Sequence, residues 1–293
     1  MNNFLFVVVL YKVSMEQSET MRSLSRHRDL LKKKGIHVLV VDNTPGMKTE
    51  SLILDSDIEY VSFGKNGGLA QAYQAAFLIA KAEDYRFLVL FDQDSEVDIG
   101  FILALDDITS KPETPAGIWC PDIVCEARQV SPYTLNAFGW PDFYPPKDSQ
   151  GLHGINSFSV VNVSFLDSIG GFDEFYWLDC LDSWLYEKAH HGHWAVKRLN
   201  VSVNHDLSLV SGKITLSRMK IIAFYESCFV FEYGSAGRIA GTTLRLFLRG
   251  LKRAKMMGGV RNHWQYVSEI FKGALAGLKR RGNVASETTS RDG

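Results

Sequence analysis

The feature that most constrains the fold is a repeated alternation of apolar runs with polar, helix-like stretches in the first third of the chain. The apolar runs cover Phe4–Leu10, Ile36–Val41 and Arg86–Phe91, and Ile58–Ser62 is predicted as a short third strand between the last two. Short runs without polar alternation are typical of strands buried on both faces. The stretches Met15–Lys34 and Gly67–Ala82 predict helices between them. A β-α-β series of this kind predicts a mainly parallel sheet with helices on both faces.

The middle of the chain is less regular. Residues 111–157 are rich in Pro, Gly and aromatic side chains and show no clear period. Beyond them we predict a helix over Asp182–His191 and helices from about Leu216 onward. Further strands are predicted over Phe158–Val163, Trp194–Leu199 and Val201–His205.

Two carboxylates follow the fourth predicted strand directly, in the order Leu88-Val89-Leu90-Phe91-Asp92-Gln93-Asp94-Ser95. In open α/β sheets, ligands bind beyond the carboxyl ends of the strands. Mg²⁺ and Mn²⁺ prefer oxygen ligands, and one or two carboxylates often hold such a cation on substrate phosphates. Asp92 and Asp94 therefore predict a divalent cation site. A solvated acidic turn is the alternative.

Two further segments fall at the same predicted edge of the sheet. Asp42 and Asn43 follow the second apolar run, and a carboxylate there can accept the ring N–H of a pyrimidine base. The alternative is a turn residue before Pro45 and Gly46. The segment Gly64-Lys65-Asn66-Gly67-Gly68 precedes a predicted helix. Paired glycines let backbone approach a ligand closely, and a helix N-terminus favours anions.

The order of these segments resembles a known family. The segments are VVVLYK, VVDNTPG, GKNGGLAQAYQAAFLIA and LVLFDQDS, followed by IGGFDE, LDCLDSW and VNHDLS. They are similar to those of the inverting family 2 glycosyltransferases, and the Asp-Gln-Asp-Ser form resembles the rhamnosyltransferase-like branch. The resemblance covers roughly residues 4–232. It implies a GT-A fold, with a mainly parallel central sheet flanked by helices and a helical C-terminal extension.

The resemblance also implies a role for each matching residue. Tyr11 and Asp42 would border the nucleotide base, and Asn43 would be a further nucleotide-binding residue. Lys65, Asn66 and Gly67 would lie along the nucleotide sugar and diphosphate. Asp92, with Gln93 beside it, would contact the ribose or a metal-bound water. Asp94 would ligate Mg²⁺ or Mn²⁺, and His205 would complete the coordination. Asp182 would be the general base that takes the proton of the acceptor hydroxyl.

Alternatives remain for the acceptor side. Asp179 is a rival base, Asp182 is a candidate helix N-cap, and His205 is a candidate for an ordinary, internally satisfied histidine. Trp140, Trp177 and Trp184 are candidates for packing on a sugar face or for the core. The family usually has an acidic pair or Asp-x-Glu at Asp182-Ser183-Trp184, and an Arg near the place of Glu187. This departure keeps open a degenerate, non-catalytic glycan-binding homologue.

The implied function is transfer of a sugar from a nucleotide diphosphate to a saccharide acceptor in bacterial surface polysaccharide synthesis, of the O-antigen or capsule type. The donor expected from the branch is dTDP-rhamnose, with UDP-hexose or UDP-galactofuranose as alternatives. A nucleotidyltransferase is disfavoured because Leu10-Tyr11-Lys12-Val13 stands in place of a Gly-rich phosphate loop. A dinucleotide-binding fingerprint and a Walker A sequence are both missing.

The expected domains follow from the same resemblance. Residues 1–213 would form the catalytic domain, with a nucleotide-binding half of about 1–110 and an acceptor-binding half of about 111–213. Residues 214–281 would form a helical, basic region, and residues 282–293 a disordered tail.

The C-terminal region predicts a partner of its own. An apolar helical face carries Leu244, Phe247, Leu248 and Leu251, interleaved with Arg245, Arg249, Lys252 and Arg253. A basic amphipathic helix is typical of a membrane-surface element. We expect peripheral contact with an anionic membrane from the cytoplasmic side and a lipid-linked acceptor. A homodimer through these helices or a solvated face is the alternative, and nucleic-acid binding is the least favoured.

Overall fold

The computed structural model describes residues 3–46, 48–110, 116–146, 150–205, 215–253 and 260–289. The chain divides into two compact units. The first unit comprises Met1–Thr134 and Phe143–Leu207, and the second comprises Leu135–Asp142 and Ser208–Gly293. The boundary predicted at 213/214 lies outside the described residues, and the second unit includes an earlier segment that the sequence did not assign to it.

Within the described residues, nine strands of the first unit form one mixed sheet. Its order is β11-β6-β10-β5-β1-β2-β4-β3, with β7 paired to β6. The bounds are β1 Phe4–Leu10, β2 His37–Asp42, β3 Lys48–Asp55, β4 Ile58–Phe63, β5 Phe87–Asp92, β6 Ala116–Cys125, β7 Arg128–Ser131, β10 Val160–Asn162 and β11 Ala195–Asn204. The short strands β8 (Thr134–Leu135) and β9 (Pro141–Asp142) pair with each other.

The strands that carry the predicted site run parallel. β1 lies between β2 and β5 and pairs with both in the same direction, and β2 pairs in parallel with β4. β10 is antiparallel to both β5 and β6, so it returns the chain across the sheet. Every residue of β1 is buried, as its apolar sequence predicts. The expectation of a mainly parallel sheet flanked by helices is confirmed.

Helices α1 Glu19–Arg26, α2 Arg28–Lys33, α3 Gly68–Ala82, α4 Ile99–Ala104, α5 Asp106–Ser110, α6 Val163–Ser168 and α7 Leu181–His191 belong to the first unit. A single 3₁₀ turn covers Glu174–Tyr176. The hydroxyl oxygen of Ser18 accepts the N–H of Met21 and so caps α1. On α3, Tyr73, Ala76, Phe77 and Ala80 are buried, as the helical period predicts.

Several elements differ from the sequence prediction, each for a local reason. The stretch Met15–Lys34 forms two helices because His27, with φ −109° and ψ 14°, interrupts it. Phe158 has a φ of 64°, so β10 begins only at Val160. The two strands predicted from Trp194 to His205 form the single strand β11, and its register against β6 shifts between Arg198 and Ser202. β3 and β6 were not predicted.

Of the C-terminal part of the second unit, residues 215–253 and 260–289 are described, and they form mainly three helices, α8 Leu216–Tyr233, α9 Ala236–Lys252 and α10 Val260–Thr289. Its small core is formed by Met219, Ala223, Leu246, Tyr266, Val267 and Ile270. α10 extends to Thr289, into the segment that was expected to be disordered, because its helical hydrogen bonding continues past Gly282. None of the helices in the described part of the chain has the length and apolar character that crossing a bilayer requires.

Candidate functional site

The predicted carboxylates lie at the carboxyl edge of the parallel strands, on either side of β1. Asp42 ends β2 opposite Leu10, and Asp92 ends β5 opposite Val9. Neighbouring strands lie about 4.8 Å apart, so two strand spacings separate these two backbone positions by about 10 Å. This distance suits a ligand with an aromatic base at one end and a charged phosphate group at the other.

Asp92, Asp94 and His205 converge at one point. One potential ligand atom from each lies within 4.8 Å of the other two. The two carboxylates come from the end of β5, and His205 follows the end of β11. The backbone N–H of His205 donates to the carbonyl of Val124 at 3.0 Å, and its ring packs edge-on against Phe158 with centroids 5.9 Å apart.

The residues of this cluster fit a divalent cation. His205 is 4% exposed, and its Nδ1 has no hydrogen-bond partner in the part of the chain that the structure describes. A buried ring nitrogen of this kind is normally satisfied, so the lack of a protein partner among the described residues leaves the imidazole available to bind a ligand. Two carboxylates with one imidazole suit Mg²⁺ or Mn²⁺. The reading of His205 as an internally satisfied histidine has no support in these contacts.

Asp92 is held firmly in place. The hydroxyl of Ser157 donates to its carboxylate at 2.7 Å, and its backbone carbonyl accepts a hydrogen bond from the hydroxyl of Thr20. Burial raises the pKa of Asp92, the Ser157 hydroxyl opposes this, and the charge of Asp94 adds to it. A carboxylate with these neighbours gains from a cation, because the cation offsets both its burial and the like charge beside it.

Gln93 links the carboxylate segment to the end of β1. Its side-chain oxygen accepts the N–H of Tyr11 at 2.8 Å, and its backbone carbonyl accepts the hydroxyl of Ser18 at 2.7 Å. The Lys12 ammonium lies 5.1 Å from the centre of the Tyr11 ring, which is 39% exposed. Tyr11 therefore presents a partly exposed aromatic face at the predicted base end of the site.

Asp42 is nearly buried, and its carboxylate is oriented by two donors. One oxygen accepts the N–H of Thr44 and the other accepts the hydroxyl of Tyr60, each at 2.7 Å. Burial and the hydrogen bond to Asp42 raise the pKa of Tyr60 to about 12, so this hydroxyl stays protonated and donates. Each carboxylate oxygen retains a second lone-pair direction for a ligand.

The Gly-rich segment joins this end of the site to the segment before α7. The Asn43 side-chain amide donates to the Gly68 carbonyl at 2.9 Å, and the N–H of Ala70 donates to the Trp177 carbonyl at 3.1 Å. Gly68 has a φ of +74°, and a Cβ there would lie 2.1 Å from the Trp177 carbonyl oxygen. Only glycine fits this turn. Lys65 and Asn66 are exposed beside it.

Asp182 lies in the first turn of α7 and shares an electrostatic environment with the cation cluster. Burial raises its pKa to about 6, and the charges of Asp179 and Asp92 add to this, while the N–H of Ser183 opposes it. Tyr73 lies under the same region: burial raises the pKa of its hydroxyl, and the charges of Asp92 and Asp182 raise it further. The helix N-cap is Cys180, so Asp182 does not have the capping role.

The predicted tryptophans occupy three different environments. Trp177 is partly exposed beside the N-terminus of α3. Trp184 is 2% exposed on α7, so its side chain is a core residue and does not present a face to an acceptor. Trp140 is 50% exposed and belongs to the second unit. Glu187, near the place of the expected Arg, is buried on α7.

Three side chains of the site were not predicted. Ser157 binds Asp92, Tyr60 orients Asp42, and Tyr73 lies under Asp92 and Asp182. Ser157 falls in the segment without period, and Tyr73 was assigned only to a buried helix face. Tyr60 lies on β4, where Glu59 and Ser62 are polar as well, so its residue type gave no signal.

Comparison with known proteins bears on the first half of this site. Residues 7–145 match the model of Glycosyl transferase family 2. The match includes Asp42, the Gly-rich segment, Asp92 and Asp94, and it ends before Asp182 and His205. No curated protein matches the chain.

The chain is also similar in structure to S. aureus TarS, at identities that show the fold alone. TarS 1-349 in complex with UDP-GlcNAc gives a TM-score of 0.56 at 14% identity, over 95% of this chain and 82% of that one. Another structure of TarS 1-349 gives 0.53 at 13% identity, with the same coverage. A longer TarS structure gives 0.48 at 16% identity, over 76% of this chain and only 39% of that one. The likeness to TarS 1-349 confirms the GT-A fold.

Proposed function

We propose that this protein is a metal-dependent, inverting glycosyltransferase that uses a nucleotide-activated sugar. The observation that carries the proposal is the convergence of Asp92, Asp94 and His205 at the carboxyl edge of the sheet, with Asp182 near enough for the charge of Asp92 to raise its pKa. The family match over residues 7–145 supports it, since that segment contains the donor-side residues.

In this proposal the donor extends along the sheet edge. Tyr11 and Asp42 border the base, and Lys65, Asn66 and Gly67 lie along the nucleotide sugar and diphosphate. Asp94, Asp92 and His205 would hold Mg²⁺ or Mn²⁺, which would supply positive charge to stabilise a departing diphosphate. Ser157 fixes the Asp92 carboxylate so that it meets the cation without rearranging.

Asp182 takes the proton of the acceptor hydroxyl. Its raised pKa of about 6 makes it a stronger base than an ordinary exposed aspartate while leaving it ionised at neutral pH. Asp179 serves as a charge that raises the basicity of Asp182, and it is the next candidate for the base. Inversion needs one in-line displacement, so a single base on the acceptor side is sufficient.

For the sugar we propose L-rhamnose from dTDP-rhamnose, on the resemblance of the Asp-Gln-Asp-Ser segment. A UDP-hexose or UDP-galactofuranose is the second candidate, and the UDP-GlcNAc bound to TarS 1-349 is a reason to include UDP sugars in any test. Asp42 accepts the imide N–H that uracil and thymine share, so it does not distinguish the two bases. The proposed acceptor is a lipid-linked saccharide at the cytoplasmic face of the membrane, in O-antigen or capsule synthesis.

The decisive experiment is calorimetric binding of dTDP, UDP, GDP and CDP, each with Mn²⁺ or with a chelator. We expect metal-dependent binding of dTDP or UDP that Asp94→Ala abolishes. Asp107→Ala is the matched control, because Asp107 is an exposed carboxylate on α5, outside the cation cluster. Absence of metal-dependent binding for every nucleotide would contradict the donor site.

A degenerate, non-catalytic homologue is distinguished by turnover. If the protein is an enzyme, slow hydrolysis of the bound nucleotide sugar without acceptor should be detectable, and Asp182→Asn should abolish transfer while nucleotide binding persists. Nucleotide binding without transfer or hydrolysis would favour the non-catalytic alternative. Near-normal transfer by Asp182→Asn would move the base assignment to Asp179.

A further inference from the structure

The second unit exposes an apolar surface that its own core does not use. On α10, Trp264, Phe271 and Leu275 are 66%, 60% and 62% exposed, and Leu278 is 50% exposed. Their spacing of seven, four and three residues places them on one side of the helix. Water-exposed large side chains in such a row are unusual on a surface that has no partner.

A second row lies on α9 and adjoins the first. Leu244, Leu248 and Leu251 are 55%, 51% and 62% exposed and recur at four and three residues. The rows meet where Phe247 of α9 packs against Phe271 of α10, with ring centroids 6.4 Å apart. We call the combined surface of Leu244, Leu248, Leu251, Trp264, Phe271, Leu275 and Leu278 the apolar face of the second unit.

Cations follow this apolar face on both helices. On α10, Arg261, Lys272 and Lys279 fall to one side of the row by helical spacing. On α9, Arg245 and Lys252 fall to one side in the same way. α9 contains no acidic residue, and Glu269 is the one acid of residues 260–282, where it pairs with Lys272 at 2.7 Å.

We propose that the apolar face docks this protein on an anionic lipid bilayer, with α9 and α10 lying in the headgroup region. Apolar side chains that include Trp, next to a row of Lys and Arg, are what such an interfacial helix requires. The apolar side chains enter the boundary of the hydrocarbon, and the cations face the acidic headgroups.

The charge distribution disfavours a second copy of the chain as the occupant. A two-fold interface places the same surface on both sides, so the cations of one copy would face those of the other with few acids to compensate. Nucleic acid would use the cations but leave the apolar rows exposed to water. An anionic bilayer satisfies both parts of the surface.

Docking would bring the site to a lipid-linked acceptor, and only this role of the docking rests on the proposed function. Its test needs no nucleotide. A protein that binds dTDP or UDP but not vesicles would contradict the docking alone, and one that binds vesicles but no nucleotide would contradict the function alone.

The experiment is co-sedimentation of the full chain with vesicles of phosphatidylcholine, and with vesicles that contain about one phosphatidylglycerol for every two phosphatidylcholines. We expect binding to the anionic vesicles, little binding to the neutral ones, and weakening at high salt. Trp264→Gln/Leu275→Gln should weaken binding by about tenfold or more. Arg261→Gln/Lys279→Gln should weaken it by about 25-fold, at about fivefold per cation.

The matched controls lie in the first unit. Leu78→Gln replaces a leucine that is 56% exposed on α3, and Lys33→Gln replaces an exposed lysine on α2, and both should bind vesicles like the unchanged protein. Equal binding by the apolar-face variants, or no binding by the unchanged protein, would overturn the proposal. So would a dimer in analytical ultracentrifugation that Trp264→Gln/Leu275→Gln dissociates, since the face would then be occupied by a second copy.

Discussion

Replacing Asp182 with Asn removes a partly buried negative charge while it preserves the size of the side chain. In the folded protein the pKa of Asp182 rises from 3.8 to about 6, chiefly through burial. The folded state therefore disfavours the ionised form that the unfolded chain accepts freely. About two pKa units at 1.36 kcal/mol each give a cost of about 3 kcal/mol, as an upper value.

The sign of the effect depends on pH. Above about pH 6 the wild-type folded protein carries the charge and bears the whole cost, so Asp182→Asn should be more stable by up to about 3 kcal/mol. Below about pH 4 Asp182 is protonated in both the folded and the unfolded wild-type protein, so the difference in stability between the wild type and Asp182→Asn should disappear. Oδ1 of the asparagine still accepts the N–H of Ser183, so the hydrogen bond is preserved.

Thermal unfolding with a chelator present measures this, because a bound cation would offset the same charge. For a unit of about 200 residues, 1 kcal/mol shifts Tm by about 2–4 °C, so we expect an increase of up to roughly 10 °C near pH 8 and none near pH 4. Asp84→Asn, at an exposed carboxylate, is the control and should change little at either pH. A lower Tm for Asp182→Asn near pH 8, or a gain that persists near pH 4, would refute the electrostatic reasoning.

Three further predictions concern the site. The proposed base must be ionised to act, and the pKa of Asp182 is raised to about 6. We therefore expect kcat/KM for transfer to fall about tenfold per pH unit below about pH 6. A flat profile from about pH 5 to 8 would contradict this role for Asp182. Tyr60→Phe should weaken binding of UDP or dTDP by about tenfold in calorimetry, since it frees the proposed base-binding carboxylate to rotate. Tyr85→Phe, at a buried tyrosine in the loop before β5, should not. Gly68→Ala should lower the free energy of unfolding by more than about 2 kcal/mol and impair donor binding, because it combines an unfavourable φ with a clash against a backbone carbonyl. Gly35→Ala is the control: Gly35 has a φ of +62° and nothing within 4 Å of an added Cβ, so only the backbone cost of about 1–2 kcal/mol is expected.

The sequence predicts the strands that consist almost entirely of apolar residues. β1, β2 and β5 are apolar on both faces because helices cover both sides of the sheet, so their sequences identify them without knowledge of their neighbours. β6 was missed because Gly117 and Pro121 are typical of loops. The structure explains the glycine, since a Cβ there would lie 3.0–3.1 Å from the side chains of Trp194 and Phe165.

Pro121 and the interruption of β11 have a common explanation. β6 pairs with β11 on both sides of Pro121, and the register shifts between Arg198 and Ser202 opposite it. A proline cannot donate to the ladder, so an irregularity in the partner strand accommodates it. From its own sequence, β11 is predicted as two strands. It forms one strand because both of its parts pair with β6, about 80 residues earlier in the chain.

The site residues also divide into those that the sequence predicts and those that only the structure reveals. Asp42, Asp92 and Asp94 were predicted because strand ends of a parallel sheet share an edge, which is a property of topology. Ser157 and Tyr60 were not, because their importance depends on which carboxylate they contact in three dimensions. The tryptophans show the limit of residue type as a guide: Trp184 and Trp177 are close in sequence, yet one is buried and the other partly exposed.

The contact between Gly68 and Trp177 connects the turn before α3, on the proposed donor side, to the segment before α7, on the proposed acceptor side. The Trp177 carbonyl is hydrogen-bonded to the first turn of α3, and Asp179 and Asp182 follow Trp177 within the next few residues. On the proposed function, a donor that tightens the turn before α3 would also restrain the backbone that carries the proposed base. Donor and acceptor binding would then be linked, and whatever factor the donor adds to acceptor affinity, the acceptor would return to donor affinity.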